Sequence, residues 1–185
     1  ILLRTATVES EKSMEHKIKM IGLDLDGTVL TEKKELTVRT REAISRALAQ
    51  GVVVLVATGR PWMGVPEELR HFPGMHYALT SNGARIIDTQ TDQVIEEHLL
   101  GPDFAQKVLE ICGKYDTLQE VYFDGQGYAP ADKMNCVEKY HKNPSMCEYM
   151  RKTRIPVDDI SELVKKENRG LDKVQALFAD MNERR

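Results

Sequence analysis

Three short runs of apolar residues in the first half of the chain predict three strands. The runs cover residues 18–24, 52–57 and 77–80. The second run, Val-Val-Val-Leu-Val-Ala, is rich in β-branched residues, as is typical of strands that are covered on both faces. Each run ends in a loop of small and polar residues, and these loops read DLDGT, TGRP and SNGA.

Helical patterning fills the intervals between these runs. Thr37 is suited to cap a helix, apolar residues at helical spacing follow it, and Gly51 stands where a glycine commonly ends a helix. Pro61 suits the first turn of a second helix, which we predict over roughly 61–71. Strands that alternate with helices in this way predict an α/β fold with a parallel sheet.

The pattern changes at about residue 85, where a separate α+β module is predicted to begin. Its predicted elements are a hairpin at 85–88 and 94–97, a helix at about 102–115, a second hairpin around 121–128, a helix at ISELVKK and a strand at 174–178. We therefore divide the chain into residues 1–13, an N-terminal extension expected to be disordered, residues 14–84, the first part of the core, and residues 85–185, the α+β module.

The composition argues against several classes of partner. Hydrophobic residues make up 41% of the chain and the formal net charge is −3, which gives no reason to expect nucleic acid or an anionic membrane as a partner. No apolar run approaches the length that spans a bilayer. The three cysteines are not spaced as a metal site or a disulfide framework, so we expect free thiols in the cytoplasm.

Two carboxylates, Asp24 and Asp26, stand one residue apart where the first predicted strand ends. Like charges at this spacing repel each other, so the pair favours a cation between them, and two such oxygen donors make half of a magnesium site. One aspartate on such a turn is suited to act as a nucleophile and the other as a general acid and base. Because ligands bind at the carboxyl ends of parallel strands, we expect the three loops to converge into one site.

Phosphate is a suitable ligand for the second of these loops. Thr58 and the amides of Gly59 and Arg60 lie at the predicted start of the second helix, where free N–H groups and the helix dipole favour an anion. The alternative to a phosphate site at this loop is an ordinary helix N-terminus. The alternative to a site role for Asn82-Gly83 is a plain turn.

The ordered motifs DLDGT, ATGR and SNGA resemble the haloacid dehalogenase-like (HAD) phosphatases, and specifically the Cof-type subfamily, in which a cap is inserted after the third core strand. The resemblance covers about residues 18–180. It implies a Rossmann-like parallel-sheet core, present here in part, with an inserted α+β cap domain. It also implies Mg²⁺ as cofactor and a small phosphorylated metabolite, such as a sugar phosphate, as substrate.

The resemblance also implies roles for individual residues. In this family the first aspartate of DxDGT attacks the phosphoryl group and forms an aspartyl-phosphate, with magnesium bound. Asp24 matches this nucleophile, while Asp26 matches the acid/base through its side chain and a magnesium contact through its carbonyl. The remaining matches are the phosphate-binding positions Leu25, Thr58 and Gly59, and the positions facing the phosphate or the cap, Arg60 and Asn82.

Two family motifs that follow the cap have no match in this chain. They are a lysine that steadies the phosphate and a GDGxND-like acidic loop that completes the magnesium shell. We assign the lysine role to none of the lysines in the cap-like part, which are Lys133, Lys139, Lys165, Lys166 and Lys173. We therefore expect a chain that stops inside or just after the cap, with residues 18–24 at a sheet edge, low solubility and weak magnesium binding.

The predicted function is a magnesium-dependent phosphatase that hydrolyses small phosphorylated metabolites through an aspartyl-phosphate. A phosphomutase is one alternative, because related enzymes share DxDGT and a similar cap. A catalytically incompetent fragment or interaction module is another, because the two later motifs are missing. The sequence leaves the substrate and the oligomeric state open.

Overall fold

The computed structural model describes residues 17–184, which form two β-sheets with helices packed against them. The predicted extension at residues 1–13 lies outside this range. No helix within it combines the length and the apolar character needed to cross a membrane.

Strands and helices alternate irregularly along the described chain. The strands are β1 (Met20–Leu23), β2 (Val53–Ala57), β3 (Tyr77–Thr80), β4 (Arg85–Asp88), β5 (Gln93–Glu97), β6 (Thr117–Phe123), β7 (Gln126–Pro130), β8 (Arg154–Val157) and β9 (Lys173–Phe178). The α-helices are α1 (Val38–Ala49), α2 (Glu67–Arg70), α3 (Pro102–Cys112), α4 (Ala131–Met134), α5 (Pro144–Thr153) and α6 (Ile160–Glu167).

The first sheet has the strand order β1-β2-β3-β4-β5. Strands β1, β2 and β3 are parallel, and β4 and β5 continue the sheet in antiparallel fashion. The predicted α/β class with a parallel core is therefore confirmed. The hairpin β4–β5 belongs to this sheet, so the boundary between the two sheets lies after Glu97 and not at the predicted residue 85.

Strand β1 lies at an edge of this sheet, as the sequence predicted, and within the described residues it pairs only with β2. Ile18 and Met20 are 65% and 60% exposed beside this edge. An exposed apolar edge is a template for association with another strand. The expected low solubility stays a prediction.

Helix α1 forms where its capping signals predict it. The Thr37 hydroxyl accepts a hydrogen bond from the Thr40 amide at 3.1 Å, and Ile44 is buried against the sheet. The helix ends at Ala49 with Gln50 as its C-terminal cap, and the next residue, Gly51, has a φ of +77° that glycine adopts without strain.

The predicted helix over 61–71 is wrong. Residues 62–64 form a single 3₁₀ turn, Val65 is extended with a ψ of 131°, and only Glu67–Arg70 is α-helical. Pro66 explains the interruption, because its ring disfavours a helical conformation in the preceding residue and it has no N–H to donate.

The second sheet has the order β8-β7-β6-β9 and carries helices on both faces. Side chains of β6 point alternately to the two faces of the sheet. Val121 and Phe123 pack with α3 and α6 on one face, and Leu118 packs with α4 and α5 on the other. This second sheet has two hydrophobic clusters of its own, and its strands come from the part of the chain for which a separate α+β module is predicted. Strand β8 was not predicted.

A main-chain bridge and an ion cluster connect the two sheets. Leu100 and Leu171 exchange main-chain hydrogen bonds of 2.8 and 2.9 Å. The buried Arg85 of β4 contacts the carboxylates of Asp172 at 2.6 Å, Asp124 at 3.0 Å and Glu97 at 3.1 Å. These contacts hold the second sheet beside the carboxyl ends of β1, β2 and β3.

Candidate functional site

The DLDGT loop is anchored by Leu25, which is fully buried in the core of the first sheet. Its neighbours Asp24 and Asp26 are exposed, so the turn presents both carboxylates on the side away from the core. Gly27, with a φ of +81°, turns the chain, and the Leu30 amide donates back to the Leu25 carbonyl at 2.9 Å. Leu25 therefore offers a phosphate only its main chain.

Main-chain hydrogen bonds join the second and third loops. The Asn82 amide donates to the Thr58 carbonyl at 3.2 Å, and the Ser81 amide donates to the Arg60 carbonyl at 2.8 Å. A Cβ on Gly59 would lie 2.6 Å from the Asn82 side-chain oxygen, so the two loops approach too closely for a larger residue without displacing that side chain. No long helix begins here, so the predicted contribution of a helix dipole to phosphate binding is wrong.

The three loops converge on one cavity of about 340 Å³. Its core wall contains every predicted site residue except Leu25, namely Asp24, Asp26, Thr58, Gly59, Arg60 and Asn82. Its opposite wall comes from the second sheet and its helices and contains Met146, Tyr149, Arg154, Lys173 and Gln175.

Asp26 is held by two cations. The Arg60 guanidinium donates to both of its carboxylate oxygens at 2.7 Å, and the Lys34 ammonium donates to one of them at 2.7 Å. Hydrogen bonding to Arg60, followed by the bond from Lys34, lowers the pKa of Asp26 to about 2 against the opposing effect of burial. Asp26 is therefore ionised at neutral pH in this arrangement. Sequence reasoning missed Lys34, which lies in a polar segment without a motif.

We expect the Asp26 carboxyl carbon to titrate at about pH 2 in an NMR experiment, well below the ordinary 3.8. Arg60→Met should move this midpoint upwards most, because Arg60 makes the larger contribution. Lys34→Met should move it less, and Lys33→Met, which changes the exposed neighbour, should leave it in place. A wild-type midpoint at or above 3.8 would contradict the pairing.

The sign of the effect on stability follows from the lowered pKa. The folded protein favours ionised Asp26, so this group stabilises the fold above about pH 4, and the contribution is lost as the pH falls towards 2.

The wall contributed by the second sheet is aromatic and cationic. The Tyr149 ring lies 4.4 Å from the Arg60 guanidinium carbon and 5.2 Å from that of Arg154. The Lys173 ammonium donates to the Gly59 carbonyl at 3.2 Å. No local signal predicts that these residues meet the core loops, because they come from α5, β8 and β9.

The donor set fits part of a magnesium site. Among residues 17–184 there is no group of three or more His, Cys, Asp or Glu side chains placed to hold a metal. The Asp24 side chain lines the cavity, and the Asp26 carbonyl, which the family resemblance assigns to magnesium, accepts no hydrogen bond from a described main-chain donor. Mg²⁺ commonly takes one or two carboxylates and fills its other positions with water and substrate phosphate, so the two donors suit it.

Comparisons with known proteins agree on one family. The haloacid dehalogenase-like hydrolase family matches residues 21–184. The putative phosphatase YxeH of Bacillus subtilis is 32% identical over 115 residues, which cover 60% of this chain and 43% of YxeH. The 5-amino-6-(5-phospho-D-ribitylamino)uracil phosphatase YcsE of the same organism is 32% identical over 100 residues, covering 54% of this chain and 40% of YcsE.

A solved structure shares the fold. The HAD subclass IIB sugar phosphatase BT4131 aligns with a TM-score of 0.67 and 19% identity, over 85% of this chain and 58% of that protein. The chain spans less than half of the length of both curated relatives.

Proposed function

The chain belongs to the haloacid dehalogenase-like hydrolase family, as its resemblance in sequence implied, and on this premise we propose that its cavity is the active site of a magnesium-dependent phosphatase. One observation carries the proposal, which is that Asp24, Asp26 and Thr58, from two separate loops, line the same cavity. Because the chain spans less than half of its curated relatives, the activity is proposed for the protein that contains this site.

Asp24 is proposed as the nucleophile. Its carboxylate is exposed to the cavity and is oriented by the Thr28 hydroxyl, which donates to it at 3.1 Å. One carboxylate oxygen would bond to phosphorus while the bond from phosphorus to the ester oxygen breaks. Water would then attack phosphorus, and the bond to Asp24 would break to release inorganic phosphate.

Magnesium, held by the Asp24 carboxylate and the Asp26 carbonyl, would offset the negative charge of the phosphoryl group. On the protein side, the Thr58 hydroxyl and the main-chain amides of Leu25 and Gly59 are proposed to donate hydrogen bonds to phosphate oxygens. Donors that are fixed by the surrounding fold stabilise developing charge without having to reorganise.

Asp26 is proposed to exchange protons with the ester oxygen and with water. In the arrangement described here it is ionised and paired with Arg60, which suits accepting a proton from water. Donating a proton to the leaving group requires a higher pKa. A phosphate that competes for the Arg60 guanidinium would weaken the pair and raise the pKa of Asp26, so we propose that substrate binding prepares the acid.

A phosphorylated sugar or sugar alcohol is the proposed substrate class. A relative with 32% identity is named for a substrate that carries a phosphorylated ribityl chain. The polar wall formed by Tyr149, Arg154 and Gln175 offers hydrogen-bonding and aromatic surfaces to a hydroxylated leaving group.

Release of inorganic phosphate from a panel of sugar and sugar-alcohol phosphates tests the proposal. We expect release that requires Mg²⁺ and stops when a chelator removes it. The assay should use the 185-residue chain and any longer chain that the same gene encodes. If both release none, the proposal fails, and transfer of phosphate between sugar positions without release would favour the phosphomutase alternative instead.

A further inference from the structure

Lys173 is a cation without an acidic partner in the wall of the cavity. It is half-buried, and its ammonium donates to the Gly59 carbonyl at 3.2 Å and lies 4.5 Å from the centre of the Tyr122 ring. No carboxylate of residues 17–184 forms an ion pair with it. The nearby carboxylate of Glu120 is already bonded by Arg154 at 2.7 Å and by the Tyr122 hydroxyl at 2.8 Å.

This environment is costly for a positive charge. Burial is the largest influence and lowers the pKa of Lys173 to about 8, with Arg154 acting in the same direction and Glu120 against both. A partly buried cation without a counterion is unfavourable for a fold, and a lysine with a perturbed pKa in a cavity is a candidate for a functional site.

The position of the Lys173 ammonium indicates that the ligand is a phosphate. Its hydrogen-bond partner, Gly59, belongs to the TGR loop, which we propose binds phosphate, and the same cavity holds Asp24. An ammonium has three donors, of which the Gly59 carbonyl uses one. The other two donors remain for an anion in the cavity that Lys173 lines together with Thr58 and Gly59.

We propose that Lys173 binds the phosphoryl group of the substrate from the second sheet, as a positioning residue of the active site. The inference rests on the proposed function and assigns a role that sequence reasoning gave to no lysine. Lys173 lies on β9 of the second sheet, and Gly59 lies in the loop that follows β2 of the first sheet. A phosphate bound by both would therefore connect the two sheets.

Binding of inorganic phosphate to the 185-residue chain, measured by calorimetry in the presence of magnesium, tests this inference. Lys173→Met should raise the dissociation constant by about 10-fold or more, since a charge-assisted hydrogen bond is lost. Lys166→Met, which removes an exposed lysine of α6, should leave it unchanged.

Two further measurements separate this role from a structural one. Lys173→Met should not lower the urea midpoint, because it removes an unpaired buried charge. Wild-type binding should weaken between pH 7.5 and pH 9.5 as Lys173 loses its proton, and this decrease should be absent in Lys173→Met. The difference between the two proteins isolates Lys173 from the other groups that face it, which are Tyr122 and Glu120 on β6, Arg154 on β8, and Asp24, Asp26 and Arg60 on the core loops.

The outcomes distinguish the inference from the function on which it rests. If Lys173→Met binds phosphate as tightly as wild type, or keeps the decrease at high pH, the inference is overturned while the proposed phosphatase stands. If the wild-type chain binds no phosphate, the inference and the proposed phosphate site fail together.

Discussion

Asp24→Asn should reduce phosphate release by at least about 10³-fold, because an amide oxygen is a far weaker nucleophile than a carboxylate. The fold should be unaffected. Asp24 is exposed, and an asparagine oxygen retains the acceptor for the Thr28 hydroxyl that lies 3.1 Å from the carboxylate. The measurements are initial rates on the best substrate of the panel and a urea unfolding curve.

The matched control is Asp103→Asn, which makes the same chemical change at an exposed position in the first turn of α3, outside the cavity. It should keep the wild-type rate. If Asp24→Asn retains more than a tenth of the activity, the nucleophile is a different group and the proposed mechanism is wrong.

The largest effect on stability is expected at Arg154. Glu120 is fully buried, the Arg154 side chain is 5% exposed, and their ion pair measures 2.7 Å. Burial acts against the charge of Arg154, but Glu120 and the neighbouring tyrosines outweigh it and raise the pKa of Arg154. Arg154→Met leaves the Glu120 carboxylate buried with only the Tyr122 hydroxyl, and we expect a loss of about 3–5 kcal/mol in the free energy of unfolding.

A double variant shows whether this loss comes from the unpaired charge. Glu120→Gln combined with Arg154→Met removes both charges, and the glutamine oxygen retains the acceptor for Tyr122. The double variant should recover most of the stability that Arg154→Met loses. Equal losses in the single and double variants would show that Arg154 acts through packing against the two tyrosine rings.

The order of strands and helices in the first sheet could be predicted because local signals there agree with the fold. The β-branched run at β2, the Thr37 cap and Gly51 each favour one local structure, and packing does not oppose them. The helix predicted at 61–71 does not form, because Pro66 interrupts it although Pro61 favours a helix start. Pro66 separates the 3₁₀ turn at 62–64 from the short helix α2, and this proline is a signal that the sequence itself contains.

The assignment of the β4–β5 hairpin depended on pairing between strands. The local sequence favours a hairpin in either sheet. Whether β4 pairs with β3 or with a strand of the second sheet depends on tertiary contacts, and in the structure it pairs with β3. The local sequence of β4 therefore does not predict which strand it pairs with.

The order of residues alone places the two carboxylates, the TGR loop and the SNG loop after three consecutive strands. Parallel pairing then places these loops at one edge, because the strand ends of a parallel sheet lie side by side. Contacts between distant segments bring Arg60 and Lys34 to Asp26. Such contacts also form the opposite wall from Tyr149, Arg154 and Lys173. The three residues of the opposite wall lie 125 to 149 positions from Asp24, and their approach depends on how the second sheet packs against the first.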